Sequence, residues 1–178
     1  MARALADARR AKDNSAAIAS PTNQRDPLEE VRRLLLRFHS VVIQLRQRHE
    51  QRATLDVADE YDIQDLLHAL LLLYFDDVRP EEWTPSYAGK ASRVDFLLKP
   101  ESLVIEVKKT RPGLGAKEIG DQLILDIERY SKLSSCKVLV CMVYDPENRI
   151  LNPGGLESDL SGTRNGMKVE VIVVPKRY

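Results

Sequence analysis

The sequence predicts a three-layer α/β domain around a central mixed sheet, and three observations carry that expectation. Apolar residues recur at three- and four-residue spacing from Leu28 to Leu45, the mark of an amphipathic helix. Two short apolar runs, at about 93–98 and 102–109, flank the turn Lys99-Pro-Glu-Ser102 and read as an antiparallel hairpin. A helical pattern over about 116–132 separates that hairpin from a third apolar run at 137–144, and a last strand follows at 168–174. This order places helices on both faces of a sheet.

The elements follow in turn. Residues 1–26, rich in Ala, Arg, Ser and Asp, are expected to be a flexible, partly helical extension without a core, ahead of one domain over 27–178. Asp26 is the expected N-cap of the first helix, with Pro27 at its first position and Glu29 and Glu30 in its first turn. The stripe Leu28, Val31, Leu35, Phe38, Val42 and Leu45 suits packing on another helix, within the fold or across a homodimer built on residues 27–58. A second helix is expected from about Glu60, started by Asp59 or Tyr61, to Phe75. Its run of leucines at 66–67 and 70–73 predicts burial around most of its circumference. Residues 81–90 read as a loop, and the Gly/Pro/Asn-rich segment 145–155 leads to a short helix near 156–160.

Composition narrows the function. With 27 basic and 27 acidic side chains the net charge is zero, so no global field draws the protein to nucleic acid. Cys136 and Cys141 have no zinc-ligand spacing around them and are expected to be reduced core thiols. No apolar run is long enough to span a bilayer, which predicts a cytoplasmic protein with no membrane partner. The link from Thr110 to Gly115 lacks the glycine spacing of a nucleotide-binding loop, and no Ser/His/Asp or Cys/His set suggests itself.

The chemistry concentrates on the hairpin. Alternation puts Glu106 and Lys108 on one face of their strand, and Asp95 stands in the strand before it. Charges inside apolar strands are costly unless they pair with one another or bind a metal. Two carboxylates and an ammonium are what metal-assisted phosphodiester hydrolysis uses: magnesium takes one or two carboxylates, and a cation stabilises the charge growing on phosphate. The plainer reading, surface pairs on a solvated edge strand, fits a Glu-x-Lys pattern alone but fits poorly with apolar neighbours on both sides and a third charge nearby.

Asp95, ten intervening residues and Glu106-Val-Lys108, with an acidic helix before and a helix and strand after, resemble the PD-(D/E)XK nucleases. More narrowly, Glu60-Tyr-Asp62-Ile-Gln-Asp-Leu-Leu-His68, Pro85-Ser-Tyr-Ala-Gly89 and Ser92-Arg-Val-Asp-Phe-Leu-Leu98 resemble the restriction-endonuclease-like domain of the Dpn/Mbo, GATC-cutting type. The likeness spans roughly 28–174, with Val94 where the motif's name has proline. It implies a restriction-endonuclease-like fold and a magnesium-dependent DNA endonuclease, manganese being a possible substitute. It also implies that Asp95 and Glu106 bind the metal and that Lys108 assists the nucleophile. Glu60 on the preceding helix would hold a second metal or its water, and Gln122 would be the polar residue given by the following helix. For Glu60 a purely structural role at the positive end of its helix is an equal alternative, and Asp62 and Gln64 are weaker candidates for the same space.

Locally the charge is organised. Between Ser86 and Lys117 seven basic side chains face three acidic ones, a patch suited to a phosphate backbone or to plain solvation. Tyr87, Lys90, Arg93, Lys109, Arg111 and Lys117 are the candidate nucleic-acid contacts. His68, inside the leucine-rich helix, reads as a hydrogen-bonded core histidine. With no separate recognition domain in sight, a homodimer or a prokaryotic defence effector with a partner protein is expected. A nucleic-acid-binding or assembly module that keeps the nuclease fold without turnover is the alternative.

Overall fold

The computed structural model describes residues 26–87 and 90–176, with backbone alone between Thr84 and Ser92. Apart from Asp26, the expected N-terminal extension over 1–26 lies outside the described residues. Helix α1 (Pro27–Arg46) begins as its sequence dictates: Asp26 Oδ1 accepts from Leu28 N at 3.0 Å, and Pro27 opens the first turn. A single 3₁₀ turn at His49–Gln51 precedes α2 (Glu60–Leu71). Asp59 caps α2 by accepting from Tyr61 N and Asp62 N, while Asp62 Oδ2 accepts from Asp59 N and Ala58 N. The reciprocal box commits Asp62 to holding the helix start, so of the two weaker candidates only Gln64 remains available to a site.

Then come β1 (Val78–Pro80), β2 (Trp83–Tyr87), β3 (Lys90–Arg93), β4 (Phe96–Leu98) and β5 (Leu103–Lys109). The chain continues through α3 (Ala116–Tyr130), β6 (Val138–Tyr144), α4 (Pro153–Leu160), β7 (Gly162–Arg164) and β8 (Met167–Val174). Six strands form one sheet in the order β1-β4-β5-β6-β8-β7, and β2 pairs with β3 in a separate hairpin. β5, β6 and β8 run parallel at the centre; β4 on one side and β7 on the other run against them, and β1, antiparallel to β4, runs with them again. Parallel central strands need cover on both faces, and they have it.

One face carries α1 and α2 over Ile105, Val107, Val140, Met142 and Ile172. The other carries α3 over Val104, Leu139, Cys141, Val171 and Val173. Both cysteines are free and buried, as expected. Burying this apolar surface at roughly 25 cal/mol per Å² is the main favourable term holding the three layers together.

Several expectations need correction. Of the two uses expected for the α1 stripe, packing within the fold is the one observed: Leu28, Val31, Leu35, Phe38 and Val42 are buried in the chain's own core, so these residues are not the seam of a dimer. The leucine-rich helix ends at Leu71 and buries one narrow side, Ile63, Leu67 and Leu71. Leu72, Leu73 and Tyr74 follow its end and stay more than half exposed, at 56%, 74% and 51%. The helix packs on the core along that side, with Leu66 and Leu70 half-buried beside it, and the residues just past its end turn outward. The expected loop over 81–90 contains the β2/β3 hairpin, whose polar composition hid it. The strand expected over 93–98 is broken at Val94-Asp95, and that break positions the site.

Candidate active site

β4 pairs with β5 only as far as Phe96 opposite Ile105. Beyond that point the two strands part, and the β5 amides on that edge need other acceptors. Two carboxylates supply them. Asp95 Oδ2 accepts from Val107 N at 2.7 Å, and Glu60 Oε1 accepts from Lys109 N at 3.0 Å. The split edge of the sheet thus draws an acidic residue from the strand break and another from the first turn of α2 to the same end of β5.

Glu106 and Lys108 project from β5 toward α3. Lys108 Nζ lies 2.7 Å from Glu106 Oε1 and 3.1 Å from Asp126 Oδ2 on α3. The second Glu106 oxygen accepts from the Tyr130 hydroxyl at 2.8 Å. Arg129 pairs with the other oxygen of Asp126 at 3.0 Å. Side-chain exposure of Glu106, Lys108 and Asp126 is 8%, 13% and 10%, so these contacts operate in a poorly screened setting.

The charges do not balance, and the titration behaviour follows. Burial, then the neighbouring Glu106 carboxylate, pushes the Asp95 carboxyl up to about 7. Burial also raises Glu106, against the pull of Lys108. Burial alone would lower Lys108, but Glu106 and Asp126 outweigh it and hold the amine above its ordinary value, so it stays an ammonium. The Tyr130 hydroxyl, buried against Glu106, is raised and remains a donor.

The structure therefore brings together Asp95, Glu106 and Lys108, with Glu60 beside them. Gln122 is exposed on α3, one turn before Asp126, and it is Asp126 that reaches Lys108. Of the candidate nucleic-acid contacts, Arg111 and Lys117 are exposed. Arg93 is exposed too, but it pairs with Glu81 at 3.0 Å and lies 5.5 Å over the Trp83 ring. Lys109 is 8% exposed, turned to the opposite face, with Glu147 Oε1 at 3.6 Å. Burial removes it from the surface patch in which the sequence placed it. Tyr87 and Lys90 face each other across β2 and β3, and their side chains lie outside the described residues. His68 is half-buried, its ring 5.8 Å from that of Phe96.

Asp126 and Tyr130 were the residues missed as site members. A signal existed: a tyrosine on the buried stripe of a helix needs a partner for its hydroxyl, and Asp126 stands one turn before it.

Among the described residues no three His, Cys, Asp or Glu side chains form a ready-made metal cage. Magnesium needs none, since it keeps several waters and uses one or two protein carboxylates. Asp95 and Glu106, both raised by burial and the first also by its neighbour's charge, are a donor pair that a hard cation suits. A cavity of about 310 Å³ opens beside Asp95. A larger one of about 460 Å³ lies between α1, α4 and β8, but there Arg32 already pairs with Glu170, and Lys176 with Glu157. Of the converging residues, Asp95 lines the smaller one.

Comparison with known families now decides the kinship: residues 29–176 match the family model DpnII-MboI, described as REase_DpnII-MboI. The chain belongs to the DpnII-MboI restriction endonuclease family. Membership implies endonuclease activity with DNA as substrate, and the mixed α/β sheet is consistent with a restriction-endonuclease-like fold. No curated protein and no solved structure matches the chain. Among the described residues no helix is long and apolar enough to cross a membrane.

Proposed function

We propose that the protein hydrolyses DNA phosphodiester bonds with the help of magnesium, or manganese in its place, held by Asp95 and Glu106. The supporting observation is the convergence of these two carboxylates with the Lys108 ammonium at the split edge of the sheet. When bound, the cation supplies Lewis-acid activation of water and phosphate. The protein's own groups do the rest. Lys108, kept protonated by Glu106 and Asp126, serves as a charged donor to the phosphate or the entering water, not as a base. Tyr130 fixes the Glu106 carboxylate by holding its second oxygen, and Asp126 aims Lys108. Glu60, tied to the Lys109 amide, stands ready for a second cation or its water.

One such site cuts one strand, so duplex cleavage calls for two copies, and a homodimer fits that need. A role in prokaryotic defence, alone or with a partner that senses infection, accords with the family. The non-catalytic binding module has no observation in its favour to match the three converging residues. Supercoiled-plasmid nicking by wild type and Lys108→Ala, each with magnesium, manganese or EDTA, tests the proposal. Metal-dependent nicking lost in the variant is expected; equal nicking by both proteins, or nicking that survives EDTA, overturns it.

A further inference from the structure

The cavity beside Asp95 has a lining that phosphate chemistry does not explain. Tyr61, Gln64, Asp65 and His68 recur at three- and four-residue spacing, so they share one side of α2, and that side faces Asp95 and Phe96 across the opening. The buried stripe Ile63, Leu67 and Leu71 occupies a different side, so the helix core does not require these four residues. Tyr61 is 67% exposed, a large aromatic left at the cavity's rim. It also walls a second cavity of about 220 Å³, shared with Glu60 and Arg111. Tyr61 thus stands between an acidic opening and one that carries an exposed arginine.

The polar groups lining the first opening are the carboxylates of Asp65, Glu81 and Asp95, the Gln64 amide, the Tyr61 hydroxyl and the His68 ring. Among the described residues the lining holds no Lys or Arg, and Arg93 reaches it only through its pair with Glu81 at 3.0 Å. An anion is unwelcome there; a neutral group bearing N–H donors is favoured. At about 310 Å³ the opening sits at the small end of ligand pockets, roughly 300–1,000 Å³. Its floor is aromatic, with the His68 and Phe96 rings 5.8 Å apart.

We propose that this cavity receives one unstacked nucleobase bearing an exocyclic amine, from the strand whose phosphate lies at Asp95. The inference rests on the nuclease reading above. Tyr61 stacks on the base, as aromatic side chains do with splayed nucleotides. Asp65 accepts from the amine, and Gln64 pairs with an adjacent donor and acceptor, the pattern by which amides read adenine. Thymine, which has no exocyclic amine, is disfavoured. The exposed Arg111 on the far side of Tyr61 is left for the adjoining phosphate.

Two readouts on the full chain test this. Sequencing the ends of nicked plasmid gives the base frequencies beside the cut for wild type, Tyr61→Ala, Gln64→Ala and Asp65→Asn. Separately, oligonucleotides carrying 2-aminopurine beside the mapped cut, or at successive positions where no cut is mapped, report unstacking on binding alone, with calcium in place of magnesium. Wild type is expected to favour an amino-bearing base at one flanking position and to brighten 2-aminopurine there. Gln64→Ala and Asp65→Asn relax that preference about tenfold, and Tyr61→Ala weakens binding about tenfold and loses the brightening. Tyr61→Phe keeps both, and circular dichroism confirms that each variant is folded. Wild type that nicks DNA without brightening at any position, or variants that keep its base preference, overturn the base pocket and leave the nuclease standing. Wild type that neither cuts nor binds DNA overturns both.

Discussion

Glu106 in β5 and Glu170 in β8 have almost the same neighbours, Ile-Glu-Val-Lys and Lys-Val-Glu-Val, and opposite fates. Their register places Glu106 level with Cys141 and Val171, and Glu170 one row away beside Val140, so the two side chains leave opposite faces of one sheet. Glu170 meets Arg32 of α1 in a two-pronged pair, both contacts at 2.6 Å, with Glu29 on the same guanidinium. Carboxylate and guanidinium match in geometry and nearly in charge, and such a pair pins a helix to a sheet. Glu106 enters a cluster in which Asp95 and Asp126 also bear on the one lysine. The bidentate pair is complete; in the other cluster Arg129 takes one oxygen of Asp126, and Asp95 and Glu106 are left to share the Lys108 ammonium, ready for a cation.

Removing the cation from each cluster gives the largest contrast. Lys108→Ala is expected to slow plasmid nicking by roughly 100- to 1,000-fold. It also leaves the buried Glu106 without its cation and Asp126 with Arg129 alone, at a stability cost of about 3–5 kcal/mol. Arg32→Ala loses charged hydrogen bonds, about 2 kcal/mol, and leaves nicking within about twofold per folded molecule because its partners, Glu29 and Glu170, are not residues of the site. Nicking rates and urea midpoints measured together check this. An Arg32→Ala protein as inactive as Lys108→Ala would break the distinction between the clusters.

Next in size is a change of sign. Asp95→Asn removes a carboxylate that its surroundings disfavour, and the amide oxygen still accepts from Val107 N. In EDTA at pH 8 the variant should be more stable than wild type by about 2 kcal/mol. It should also be inactive with magnesium. Glu170→Gln, in the matched pair, should lose stability. Denaturation midpoints of both variants decide it, and two shifts of the same sign end the argument from unbalanced charge.

How much of this was legible beforehand follows the same division. β6 announces itself because nearly every residue is apolar, β5 because it opens on the apolar run Leu103-Val-Ile105, and the turn between β4 and β5 sets the register of that hairpin. Asp95, Glu106 and Lys108 were readable because a charge in such a strand demands a partner. The break at Val94-Asp95 was not, since it depends on where β4 stops pairing, a tertiary fact. α2 misled for a related reason: leucines past its end look helical in sequence but lie beyond Leu71, where no sheet covers them. Asp126 entered through the angle at which α3 crosses β5, which helical spacing alone does not set.

The pH dependence sharpens the comparison further. Asp95 has a folded-state value of about 7 against an ordinary 3.8, so between those values the folded chain holds a proton that the unfolded chain has released. Stability from this group is therefore greatest at low pH and falls as pH rises through about 4 to 7, and the raised Glu106 acts with the same sign. Melting in EDTA should drop between pH 5 and 8 by about 5 °C more for wild type than for Asp95→Asn. Magnesium at pH 8 should recover part of it. Parallel curves for the two proteins would show that Asp95 is not the group responsible.

The smallest expected effect isolates one hydrogen bond. Tyr130→Phe keeps the ring in the α3 core and deletes only the hydroxyl that donates to Glu106 Oε2. That bond favours the ionised carboxylate, so its loss raises Glu106 further and frees the side chain to turn. About 1 kcal/mol of stability should go. Nicking should fall by about tenfold, and raising magnesium should recover most of the loss, because the fault lies in readying a carboxylate and not in Lys108. A loss indifferent to magnesium would mean that Tyr130 supports the helix alone. Glu106 would then be held by Lys108 without help from α3, as Glu170 is held by Arg32.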